Sequence, residues 1–214
     1  MISDASHYVA LAAAYVRGAT GELHLDDAAA LALGEVRALK LHRFKRTATL
    51  ARVVPVIGAL RAFGADRLVD LGSGRGAFVW PLLDALPALV VVATDLLPHR
   101  ALLFAHVARG GVPRLAGVQA DITQLPYADG AAPCVTALEV LEHLPGDGPE
   151  RAAREAMRVA RIAVIATVPS HADDNPEHVH LFDGARLEAM FRAAGARRVT
   201  IEHVLNHIVC VARR

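Results

Sequence analysis

The stretch Arg67-Leu68-Val69-Asp70-Leu71-Gly72-Ser73-Gly74-Arg75-Gly76 decides the fold. Its first half is an apolar run of strand length, and its second half places glycine at every other position. Glycine takes up positive φ and lets the backbone approach a ligand closely. A helix is predicted immediately afterwards, over 77–86, and its first turn offers free N–H groups. Strand, bare loop and helix start together form a ligand-binding unit of open α/β sheets, one that nicotinamide and flavin enzymes also use.

Outward from this unit the pattern repeats. Short apolar runs at 89–94, 117–120, 134–138 and 162–168 predict further strands, with helices at 99–108, 149–159 and 184–194. The runs at 90–94 and 162–168 are apolar on both faces, as strands covered by helices on each side must be. Two last runs, 197–204 and 208–212, are separated only by Leu205-Asn206-His207. With no room for a crossover helix, they form an antiparallel hairpin. The fold class is therefore α/β: a Rossmann-like, doubly wound sheet of seven strands whose last strand is antiparallel. Residues 1–65 read as a helical cap and 66–214 as the α/β domain. In the cap, Tyr8, Leu11 and Tyr15 keep helical spacing and Gly18 reads as a stop. Asp26-Asp27 opens a second helix, and a third covers 50–63, with Pro55 in its first turn or at a kink.

Composition narrows the class. With 214 residues, 54% of them hydrophobic, the chain can bury a core and is not disordered. No apolar run reaches about 18 residues, so no integral membrane segment is expected, and the start MISDASHY carries no secretory signal pattern. Cys134 and Cys210 are too few for a disulfide framework and point to a reducing, cytoplasmic setting. The net charge of +1 is too balanced to argue for a nucleic-acid partner from the total alone. The distribution is uneven: Arg37, Lys40, Arg43, Lys45, Arg46, Arg52 and Arg61 fall in a segment without acids.

Three details turn the glycine loop away from dinucleotides. Its spacing is GxGxG, and Asp70 stands two residues before the first glycine, where a pyrophosphate would be repelled. Asp95 and Asp121 end the next two strands. Carboxylates at successive strand ends suit a cationic, hydroxyl-rich ligand with an exocyclic amine. Here the chain resembles the class I S-adenosylmethionine-dependent methyltransferases, in particular the small quinone-biosynthesis-like, type-11 branch. The resemblance rests on VDLGSGRG at 69–76, ATDLLP at 93–98, ADITQLPYADG at 120–130 and LEVLEHL at 138–144. It implies that Asp70 faces the methionine amino group, and that Gly72, Ser73, Gly74 and Gly76 shape the loop beneath methionine and ribose. It further implies that Asp95, with Leu96, holds the ribose hydroxyls, that Asp121 and Ile122 meet the adenine, and that Glu139 lines the methionine side. The helical cap covers the substrate pocket in such relatives, which makes His7, Tyr8, Tyr15 and Phe44 candidate linings or core residues. The family's strand order sets Cys134 and Cys210 about two strand spacings, roughly 10 Å, apart, too far for a bridge.

Where relatives often carry an aromatic and an acid before the fourth strand, this chain has Ala131-Ala132-Pro133, which leaves that strand's start open. Beyond the strand, Glu139-Val140-Leu141-Glu142-His143 would place its two acids and its histidine on one helical face. A second source of histidines is Glu177-His178-Val179-His180. Three readings remain open: local hydrogen bonding, a general base (His143, His178 or His180), and a divalent cation on Glu139, Glu142, His143 and His180. The function implied is methyl transfer from S-adenosylmethionine to a small-molecule O, N or C nucleophile. RNA 2′-O or protein methylation, with the basic segment as contact surface, is the alternative, and a non-catalytic cofactor-binding regulator a further one.

Overall fold

The computed structural model describes residues 4–44, 50–172 and 174–214. Lys45 and Arg46 of the basic segment, and the side chain of Arg43, lie outside them. β1 (Arg67–Leu71) is exposed only at its first residue. It is flanked in parallel by β2 (Val90–Asp95) and β4 (Ala132–Leu138); β3 (Leu115–Gln119) extends the β2 side and β5 (Ala160–Pro169) the β4 side. β6 (Arg198–Val204) and β7 (His207–Arg213) close the sheet, with β7 antiparallel to both β5 and β6. The order is β3-β2-β1-β4-β5-β7-β6, seven strands as the sequence predicts. It reverses between β1 and β4, and open α/β sheets bind ligands outside the carboxyl ends of strands at such a point.

Strand alternation divides the apolar side chains between two cores. Val69, Val135 and Val164 turn toward α6 (Gly148–Val159) and α7 (Gly184–Ala193). Leu68, Cys134 and Ile165 turn toward α3 (Val53–Ala62), α4 (Val79–Ala85) and α5 (Pro98–Arg109). α1 (Asp4–Thr20) contributes Tyr8 and Leu11 to the second core and packs along α5, while α2 (Asp27–Val36) packs beside α1. Asp26 caps α2 by accepting from Ala29 N at 2.8 Å. The N-terminal helices thus share a core with the sheet.

Several local expectations change. Gly18 does not stop α1: a Cβ there would lie 1.9 Å from the His106 carbonyl, so this glycine allows the α1 and α5 backbones to touch. The chain turns at Gly21, with φ +85°. β4 begins at Ala132, and Pro133, which has no N–H to give, sits at a register irregularity between Ala132 and Cys134. The hairpin turn is Leu205-Asn206 alone, with Leu205 at φ +51°, and His207 belongs to β7. Pro55 lies in the first turn of α3. Tyr8 and Phe44 are buried in the core, with Tyr15 packed against it, and Phe44 stacks on Trp80 at 5.3 Å. None of the three, nor His7, which bonds the Trp80 carbonyl at 3.0 Å, lines the cleft described below. No helix among the described residues is long and apolar enough to cross a membrane.

Candidate active site

The chain leaves β1 through Gly72 at φ +68°, Gly74 at +59° and Gly76 at +87°. Gly72 and Ser73 donate their N–H groups to the Thr94 carbonyl at 2.8 and 3.1 Å, which ties the loop to β2. A Cβ on Gly72 would lie 2.4 Å from Val140 Cγ2, and one on Gly76 2.2 Å from the Trp80 ring. Gly76 therefore seats the loop on Trp80, whose Nε1 donates to the Arg75 carbonyl at 2.9 Å. Gly72 and Gly74 line the cleft instead.

Three carboxylates stand along this rim. Asp70 is buried and accepts from Thr136 Oγ1 at 2.6 Å. Burial pushes its pKa up to about 6, with the neighbouring charge of Asp95 adding a little and the hydroxyls of Ser73 and Thr136 opposing the rise. Asp95 is buried as well. Its two oxygens accept from Gly74 N and Leu97 N, both at 2.9 Å, and Arg100 Nη1 stands 3.6 Å away. A carboxylate has about four lone-pair positions, so Asp95 retains acceptor capacity. Asp121 is exposed and uses one oxygen for Thr123 N and Oγ1, each at 2.8 Å. The cleft beside these acids has a volume of about 640 Å³, within the range of ligand pockets. Leu96, Ile122 and Val140 give it apolar walls, and His143 and Val179 stand at its far end. A hollow of about 150 Å³ adjoins it across Gly72, Gly74 and Glu139, and is lined by Arg52, Asp70 and Ser73 among others.

The ExxEH segment is not one helical face. Glu139 adopts φ +53°, and only a short 3-10 turn, Leu141–His143, follows. Glu139 consequently turns away from Glu142. It accepts from Thr167 Oγ1 at 2.7 Å and faces His207 Nε2 at 3.1 Å and Arg52 Nε at 3.6 Å. The four residues predicted to hold a cation are therefore not brought together. The structure groups Glu142, His143 and His178, whose potential donor atoms all lie within 4.8 Å of one another. His143 Nδ1 stands 3.0 Å from the Glu177 carbonyl, and its ring meets that of His178 edge-on at 4.8 Å. His180 does not line the cleft; it neighbours Arg186 at 3.3 Å and Phe182 at 6.0 Å.

Three residues at the site carry no sequence signal for it. Arg52 reaches the rim from the start of α3, Arg100 from the first turns of α5, and His207 from the beginning of β7. Topology alone could point to His207: a hairpin entered by a strand running parallel to β5 must turn at the carboxyl edge.

A glycine loop in which Gly72 and Gly76 leave no room for a Cβ, carboxylates at three successive strand ends and an apolar-walled cleft fit a cationic nucleoside cofactor. Residues 69–165 match the family model described as "Methyltransferase domain". An O-methyltransferase family protein from Burkholderia thailandensis superposes with a TM-score of 0.62 at 17% identity, over 75% of this chain and 55% of that one. A protein from Thermotoga maritima described as a SAM-dependent methyltransferase, possible histamine N-methyltransferase, gives 0.60 at 17% identity, over 85% and 95%. PigF, solved with SAH, gives 0.58 at 18% identity, over 76% and 54%. The chain thus spans just over half the length of the Burkholderia protein. No curated protein matches it. Residues 69–165 thus match a methyltransferase domain, and the fold of the chain is that of solved S-adenosylmethionine-dependent methyltransferases.

Proposed function

We propose that the protein transfers the methyl group of S-adenosylmethionine to a small-molecule acceptor and releases S-adenosylhomocysteine. One observation carries this reading: the cleft runs without interruption from the Gly72–Gly74 loop and Asp95 past Val140 to His143 and Val179. In this reading the cofactor end and the acceptor end share one largely apolar cleft. The sulfonium supplies an electrophilic methyl group, so the protein has mainly to align it with a nucleophile and exclude water.

In this reading Asp70 holds the ammonium group and Asp95 the ribose hydroxyls, while Ile122 packs on the adenine and Asp121 accepts from its amine. Glu139 lines the methionine end, with Arg52 beside it at 3.6 Å as a cation for the methionine carboxylate. His143 takes the acceptor's proton. Its Nδ1–H donates to the Glu177 carbonyl at 3.0 Å, which leaves the lone pair on Nε2. His180, with Arg186 beside Nδ1 and Phe182 beside the ring, holds the loop after β5 in place. Calorimetry tests the cofactor half: micromolar binding of S-adenosylmethionine is expected, weakened at least 100-fold in Asp95→Ala. Binding unchanged in that variant would overturn the assignment.

A second reading has its own observation. Glu142, His143 and His178 lie close enough to ligate one divalent ion. Two imidazoles and one carboxylate suit zinc, manganese or iron better than magnesium. The ion would occupy His143 and leave it no role as a base. Chelator-sensitive turnover that is lost in His178→Ala and restored by added Mn²⁺ or Zn²⁺ in the wild type alone would favour this reading. Full turnover in EDTA would remove it.

A further inference from the structure

The amino edge of the sheet lies opposite the cleft and carries a charge pattern that the methyl-transfer reading does not use. Arg198 and Arg213 stand directly across from one another in the antiparallel β6/β7 register. Arg197 bonds the Arg213 carbonyl through its N–H at 2.8 Å, and Arg214 N reaches the Ile162 carbonyl at 3.1 Å, next to Arg161. All five arginines are exposed. Among the described residues no carboxylate comes within 4.0 Å of any of their guanidinium groups. Neighbouring helices treat their arginines differently. Arg158 is matched by Asp129 and Glu155 at 2.8 Å, and Arg192 by Glu188 at 3.2 Å.

Like charges directly opposite in an antiparallel pair destabilise it. Arg198 and Arg213 thus oppose the hairpin's stability, and Arg213 is held over the Phe63 ring at 5.4 Å. We propose that this edge binds the phosphate backbone of a nucleic acid, at a surface separate from the cofactor cleft. Guanidinium groups match phosphate oxygens in bidentate geometry. The five positions span β5, β7 and β6, about 10 Å at a strand spacing of roughly 4.8 Å, which is the scale of two to three successive phosphates. A membrane surface fits less well. Among the described residues, exposed large apolar side chains such as Leu96, Leu97 and Val179 line the cleft, and none belongs to β5, β6 or β7, the strands that carry the arginines. The acids of the site, Asp70, Asp95, Asp121 and Glu139, lie at the opposite edge, so the molecule presents its basic end to a polyanion and keeps its cleft open.

The full chain is titrated into a fluorescein-labelled 20-nucleotide single-stranded RNA and into a 20-base-pair DNA duplex, each from 50 to 200 mM NaCl, with anisotropy as readout. Binding at 50 mM salt is expected for at least one probe, with log K falling against log salt at a slope of about −3. Arg198→Glu places an acid opposite Arg213, so two effects of opposite sign are expected: Tm rises by about 2 °C, and affinity falls at least tenfold with a salt slope shallower by about 1. S-adenosylmethionine affinity stays unchanged, which separates this surface from the cleft. Absence of binding to both probes at 50 mM salt, or equal affinity in Arg198→Glu, overturns the proposal. Capture by phosphatidylserine vesicles without binding to either nucleic acid overturns it also.

Discussion

Lowering the pH from 7.0 to 5.0 should weaken cofactor binding while making the free protein more stable. Both effects come from Asp70, whose pKa burial raises from 3.8 to about 6. At pH 7.0 about nine-tenths of the free protein carries this charge, and at pH 5.0 about one-tenth. The ammonium group of S-adenosylmethionine favours the ionised carboxylate, so the bound state titrates lower. Apparent Kd should therefore rise about tenfold, or about 1.4 kcal/mol, across the interval. Stability has the other sign. A carboxyl with a pKa of about 6 when folded and 3.8 when unfolded binds more protons in the folded state between those values. Its contribution to stability thus falls as pH rises through that window, by about 3 kcal/mol in all. Asp70→Asn separates Asp70 from the histidines that titrate in the same range. It keeps an acceptor for Thr136 Oγ1 and removes the buried charge. This variant should melt higher than the wild type at pH 7.0, bind the cofactor at least tenfold more weakly and lose the pH dependence of binding. Calorimetry at five pH values between 5.0 and 7.0, below the titration of the cofactor's own amine, measures the affinity, and thermal melts measure the stability. A wild-type Kd that stays flat across the interval, or a tenfold rise that persists in Asp70→Asn, refutes the role given to this carboxylate.

Other perturbations test the frame around it. Gly72→Ala forces a side chain into φ +68° and against Val140 Cγ2 at 2.4 Å; it should destabilise the fold by about 2–4 kcal/mol in denaturant titration and abolish cofactor binding. Arg158→Ala removes bonds to Asp129, Glu155 and the carbonyls of Leu125 and Tyr127, which together pin the segment before β4. A loss of about 2 kcal/mol is expected, read as a Tm lower by about 4–8 °C. Cys134 and Cys210 are buried thiols whose pKa values burial pushes up to about 11 and about 12. A thiol reagent at pH 8 should leave both unmodified in the native protein and label both in denaturant.

The strand runs, the glycine loop and the three acids were legible because each follows from local chemistry. A parallel strand covered on both faces must be apolar at nearly every position, and a backbone with φ near +60° at alternate residues calls for glycine. Gly18 was misread for the same reason: glycine at a helix end and glycine at a helix crossing look alike until α5 is placed beside it. The chemistry at the far end of the cleft is of another kind. Glu139, Glu142 and His143 share a face only if the helix starts at Glu139, and the positive φ of that residue sends its carboxylate toward Thr167 and His207 instead. The loop after β5 then decides between two histidines. Val179 and His180 both donate their N–H groups to the Glu142 carbonyl, while His178 N turns back to Asn175, and this brings the His178 ring beside His143 and leaves His180 against Phe182. Two histidines separated by one residue would share a side in an extended strand; this turn separates them. Each strand end of the proposed cofactor site places one acid at one register position. The residues that select an acceptor come from loops whose mutual placement depends on the whole topology, so cofactor chemistry can be read from a short motif while acceptor chemistry requires the assembled rim.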